Sequence, residues 1–205
     1  MKHFILYSLL FFTLNSFAQG EFIEFLKSEN LPECFKGLDP AEVDRLMEQG
    51  SIQARNTTFR LDYDHFKNVL YLETSNHCDD IYRIHLKLIF HKEREYVFMY
   101  KERVKHSDTY GRLRVYQLDG DEWIGGRTVE VTWQQLFNLS ERDLQRLRNV
   151  DQYPQYLLSF EERHIEFQIP WRLYTFEEGS ENNSFSKGGG KHPVTFPYHY
   201  FISAN

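Results

Sequence analysis

The chain has 205 residues, with 24 Lys and Arg against 30 Asp and Glu, a formal net charge of −6 and an aromatic content of 17%. Its length suits one domain with a sizeable core. Its acidic balance argues against general nucleic-acid binding, and its many Phe and Tyr favour strands over helices.

The chain opens with a short basic start, Lys2 and His3. An apolar run follows from Phe4 to Leu14, and then Asn15, Ser16, Phe17 and Ala18. That three-part layout predicts a secretory signal peptide cut between Ala18 and Gln19. The apolar run is shorter than the roughly 20 residues that span a bilayer. No Cys stands at the cleavage site, which argues against a lipid anchor. The ending Ser16-Phe17-Ala18-Gln19 resembles that of a bacterial signal peptide, and the resemblance implies a periplasmic or secreted product. The expected organisation is a cleaved peptide over 1–18 and a single globular domain over 19–205, with no transmembrane span after processing. Cys34 and Cys78 are the two cysteines, and in an oxidising compartment such a pair is expected to form a disulfide. The sharper alternative is a thiol nucleophile at Cys78, beside His77, Asp79 and Asp80.

Glu21 to Lys27 reads as a short helix. Asp39 to Gln49 is the clearest helix. Asp39 is its N-cap, Pro40 lies in its first turn, Glu42 completes a capping box and Gly50 supplies the stop. The apolar period then changes to two. Thr57–Tyr63 and Val69–Thr74 read as a hairpin around Asp64 to Asn68, and Tyr82 to Phe90 as a half-buried strand. Tyr96 to Val104 begins apolar on both sides, as a strand covered on both faces does. Arg112–Leu118 and Glu122–Ile124 form a hairpin around Asp119-Gly120. Val129, Val131 and Trp133 suggest a strand end, and Ser140 caps an expected helix to about Arg148. Tyr156–Phe160, His164–Trp171, Leu173–Phe176 and Val194–Ile202 return to strand character. The fold class is α+β: one domain built on a mostly antiparallel, twisted sheet of about seven to nine strands with two or three helices. A closed or half-closed barrel is the alternative.

No complete catalytic motif is present. Glu162 and Glu166 are weak candidates for the carboxylate pair of a polymer hydrolase. The Asp62, Asp64, His65 and Asp119, Asp121, Glu122 groups fall where hairpin turns are expected, and turn chemistry explains them better than metal binding. No metal site and no cofactor is predicted. The charge distribution says more. Tyr82 to Leu118 holds nine Lys or Arg and four Asp or Glu, a local +5 within an acidic chain. Arg83, Lys87, Lys101, Arg103, Arg112 and Arg114, with Tyr116, are therefore the candidate ligand-binding residues, on the expectation that neighbouring strands bring several of them into one basic strip. The expected function is a non-catalytic binding module for an anionic or polyhydroxylated ligand: an acidic glycan, a lipid head group or an acidic protein. An envelope or extracellular hydrolase and a structural subunit of an envelope assembly are the alternatives.

Overall fold

The computed structural model describes residues 22–28, 38–64, 66–76, 81–105, 108–132, 135–136, 147–148, 156–168, 175–176 and 193–202. Helix α1 (22–27) buries Phe22, Phe25 and Leu26. Helix α2 (Pro40–Gln49) has the expected termini. The Asp39 carboxylate accepts from the Glu42 N–H while the Glu42 carboxylate accepts from the Asp39 N–H. At the other end Gly50 takes φ +70° and donates to the Leu46 carbonyl, a left-handed cap that suits glycine. Val43 and Leu46 form the buried face.

Seven strands follow as a meander: β1 (Ser51–Ala54), β2 (Thr57–Asp64), β3 (Val69–Asn76), β4 (Ile81–His91), β5 (Arg94–Lys105), β6 (Asp108–Asp119) and β7 (Glu122–Thr128). They lie in that order in one sheet, each antiparallel to the next. The turns Arg55-Asn56 and Lys92-Glu93 place both central residues at positive φ, the geometry whose twist matches that of the flanking strands. In β7 the extra residue Gly126 makes a bulge opposite Val115 and Tyr116, and the Tyr116 ring lies over it where a Cβ would stand.

Alternation along the strands divides the core in two. Leu70, Leu72, Ile84, Leu86, Val97 and Met99 face α1 and α2. Val69, Phe98, Tyr100, Leu113 and Val115 face a second layer. That layer holds a three-stranded antiparallel sheet of β9 (Leu157–Phe160), β10 (His164–Gln168) and β12 (Val194–Pro197) in the order β12-β10-β9, with helix α3 (Tyr198–Ile202). Two short strands, β8 (Leu147–Arg148) and β11 (Thr175–Phe176), pair separately. Covered on both sides, β5 has residues 96–100 all buried. Tyr100 ties the layers together: its ring covers Gly111 and its hydroxyl donates to the Tyr156 carbonyl at 2.9 Å, while the Tyr156 hydroxyl accepts from the Leu113 N–H.

The antiparallel α+β architecture holds, but no barrel closes. β1 and β7 are the two edges of the large sheet, and the covering layers bury faces that a barrel would turn inward on itself. Two segments also differ from expectation. Val194–Ile202 is not one strand, because Pro197 lacks the N–H needed to extend the ladder. The chain turns there into α3, whose Tyr198 and Phe201 are both buried. Leu147–Arg148 is not the end of a helix but a strand pair with Thr175–Phe176, so ladder pairing wins over the helical pattern. The residues between Leu136 and Leu147, Trp133, and the segment from Ile169 to Tyr174 lie outside the described residues, as do residues 1–21 with the expected cleavage site. Cys34 and Cys78, the expected disulfide pair, lie outside them too. No helix among the described residues is long and apolar enough to cross a membrane.

Candidate functional site

Strand register decides which of the basic candidates meet. In the β4–β5 ladder Arg83 is opposite Glu102 and Lys87 opposite Phe98, whereas Ile84 is opposite Lys101 and Tyr82 opposite Arg103. Across β5–β6, Lys101 is opposite Arg112, Met99 opposite Arg114 and Val97 opposite Tyr116. Successive residues point to opposite faces of a sheet. Arg83 and Lys87 therefore lie on the side of the smaller sheet, with Phe98 and Tyr100. Lys101, Arg112 and Arg114 lie on the helix side, in the same rows as Ile84, Leu86 and Met99. The register position of Arg103 falls on the helix side, and its side chain lies outside the described residues. The expected single strip is thus two separate groups.

The inner group is neutralised. Arg83 Nε donates to Glu73 Oε2 at 2.7 Å, and its Nη1 lies 3.6 Å from Glu102 Oε1. His85 Nε2 also lies 3.6 Å from Glu102 Oε1, and its ring packs edge-on between Tyr71 and Tyr100. The Glu102 side chain is only 8% exposed. A carboxylate that buried needs nearby cations and donors to keep its charge. The Glu73 hydrogen bond raises the Arg83 pKa. Glu73, Arg83 and His85 of this network line an open concavity of about 510 Å³, together with Gly50, Ser51, Arg60 and Asp62.

Lys87 is used in a different way. Only 3% exposed, it donates through Nζ to the Lys67 carbonyl and stands 5.7 Å from the centre of the Tyr198 ring. Burial pulls its pKa down to about 8. Lys67 in turn pairs with Glu161 at 2.7 Å, and that hydrogen bond raises the Lys67 pKa. These contacts pin the β2–β3 turn against β4 and the β9–β10 turn. Tyr116, the remaining candidate, is 3% exposed and packs edge-on against Phe25 at 5.2 Å, so it is a core residue and not part of an open surface.

The outer group is open. Arg112 and Arg114 are exposed, and Lys101 is half-buried with its ammonium 5.3 Å from the centre of the Tyr82 ring. Lys101 and Arg112 sit directly across a ladder from each other, a like-charge pair that costs stability when nothing anionic offsets it. None of the three forms an ion pair with a described residue.

The carboxylates proposed for hydrolysis, Glu162 and Glu166, do not line that concavity. Glu162 is exposed beside Arg163, and Glu166 hydrogen-bonds His164 at 3.1 Å on β10. The Asp64 carboxylate accepts from the N–H groups of Phe66 and Lys67, the bonding of a turn residue. Among the described residues no group of three or more His, Cys, Asp or Glu is placed to hold a metal ion. Sequence reasoning missed Glu102 and His85, although Glu102 is the one acid between Tyr96 and Val104 and so the available signal of a buried partner. No family model matches the chain, and neither curated proteins nor solved structures give a significant match.

Proposed function

We propose that the protein is an exported, non-catalytic binding module, and that its binding surface is the open row of Lys101, Arg112 and Arg114 on the helix side of β5 and β6. One observation carries this reading: Lys101 faces Arg112 across a ladder and Arg114 follows two residues on, with no ion pair to a described carboxylate, in a chain of net charge −6. An acidic body around a basic row draws an anion toward that row and away from the rest of the surface. The two guanidinium groups suit carboxylate, sulfate or phosphate oxygens, which their planar forks bind two at a time. The ligand class is accordingly an acidic glycan, a lipid head group or an acidic protein surface.

Heparin, used as a generic polyanion, tests the surface. Binding is expected to fall steeply with salt and to be lost in Arg112→Glu with Arg114→Glu. The control Lys27→Glu with Arg45→Glu alters cations that already pair with Asp44 and Glu42 and is expected to keep it. Equal losses in both variants, or indifference to salt, would reduce the row to solvation. Export is tested separately. The amino terminus of the secreted protein is expected to be Gln19 or its cyclised form, and an intact Met1 would contradict it.

A further inference from the structure

One end of the large sheet is unlike the rest of the surface. The β2–β3, β4–β5 and β6–β7 turns all lie there, and the Lys67–Glu161 pair brings the β9–β10 turn beside them. At this end Phe66 is 93% exposed and Phe90 70% exposed. Isolated exposed apolar residues are ordinary, but Phe66 is held with unusual care. The Asp64 carboxylate takes two backbone N–H groups of its turn, Tyr63 hydrogen-bonds Asn68, and the buried amine of Lys87 caps the carbonyl next to Phe66. Burying a lysine is costly. A turn whose backbone is fixed in advance loses little freedom when it docks.

The same end is acidic. The turns spanning 64–68, 91–95, 119–122 and 161–163 carry eight Asp or Glu against four Lys or Arg. Between two of these turns lies a concavity of about 430 Å³ walled by Phe90, Leu118, Glu93, Arg94, Glu95 and Asp119. Three of its walls are carboxylates, Glu93, Glu95 and Asp119, against the one guanidinium of Arg94. A guanidinium from outside complements those carboxylates, and its stem covers the Phe90 ring. An acidic rim also disfavours the anionic face of a membrane.

The chain carries the complement itself. Arg112 and Arg114, exposed and without a described carboxylate partner, lie on the same sheet, seven and five residues before the turn end of β6 at Asp119. We infer that copies of this protein associate head to tail, the acidic, aromatic turn end of one copy seating on the Lys101–Arg112–Arg114 row of the next. This inference rests on the reading of that row as a binding surface and names a second copy as its acidic partner. Because the two contacting patches differ, the contact is heterologous and builds rings or open chains, not an isologous dimer.

Sedimentation velocity of the purified exported protein tests it. The weight-average sedimentation coefficient is expected to rise with concentration and to drop in high salt. A turn-end variant, Phe66→Ala with Phe90→Ala, and a row variant, Arg112→Glu with Arg114→Glu, are each expected to stay monomeric. A turn-end variant that changes charge only, Glu93→Lys with Asp119→Lys, keeps the test valid if the Phe pair is needed for folding, and it too should stay monomeric. Mixing a turn-end variant with the row variant restores one intact contact and should yield 1:1 dimers that grow no further. A wild type that is monomeric at every concentration, a variant that assembles as wild type does, or a mixture without dimers would overturn the inference. So would turn-end-dependent binding to phosphatidylglycerol vesicles by a monomeric wild type, which would assign that end to lipid. Heparin binding separates the two failures: retained by monomeric wild type and lost in the row variant, it leaves the row as a binding surface and removes only self-association.

Discussion

The two sides of β4, β5 and β6 use similar basic residues for opposite ends. On the small-sheet side, Arg83 is tied to Glu73 and Glu102, and Lys87 is buried against the Lys67 carbonyl. On the helix side, Lys101, Arg112 and Arg114 stand together with no described carboxylate among them. A local excess of Lys and Arg in a sequence mixes cations committed to the fold with cations left for a partner. Only the register and the buried acids tell them apart.

That contrast is open to attack, beginning with the largest expected effect. Arg83→Ala leaves Glu102 buried with His85 as its one remaining ion-pair partner among the described residues, and removing one partner of a buried pair is strongly destabilising. The guanidinium is partly exposed, so the expected loss is about 3 kcal/mol, at the low end of that class, read from urea unfolding. A loss below about 0.5 kcal/mol, the level of an ordinary surface change, would place Arg83 with the free cations.

Lys87 sharpens the same side through pH. Its folded pKa of about 8 lies below the ordinary lysine value of 10.5. Between those values the unfolded chain binds more protons, so stability rises as pH climbs through that window. Measured against Lys87→Met, which cancels the titration of other groups, the gain from pH 7 to pH 10 is expected to be on the order of 2 kcal/mol. A flat difference would mean the amine is solvated.

Tyr100→Phe probes the link between layers. It removes the donor to the buried Tyr156 carbonyl and is expected to cost about 1 kcal/mol. Unchanged stability would show that the carbonyl finds another donor. The smallest effect belongs to the open row. Arg112→Gln relieves the like-charge pair with Lys101 and is expected to leave stability within about 0.5 kcal/mol of wild type, or slightly above it.

Much of this fold can be read from residue pattern. The Asp39, Pro40, Glu42 and Gly50 signals mark α2 at both ends, and polar–apolar alternation from Arg83 to Leu88 marks β4. The two-sided apolar run at Tyr96 announces that β5 is covered on both faces. β1 is harder to see, because four residues with only Ile52 and Ala54 buried are too few to show a period. The last strand is misread past Pro197 because Tyr198 to Ile202 remains aromatic and apolar when the backbone turns helical. The site is less legible than the fold. Lys87 and Arg112 look alike in sequence, and their fates follow from a parity set by turns far from either. Tyr116 shows the same limit, since only its place beside Phe25 and over Gly126 reveals that it packs in the core.

The contrast between committed and free cations comes to its most direct test in Arg83→Gln and Arg112→Gln, each examined for its urea midpoint and its affinity for heparin. Arg83→Gln is predicted to lower the midpoint and keep the affinity; Arg112→Gln is predicted to keep the midpoint and lower the affinity. If both properties fall together in either variant, the division between the two faces does not hold.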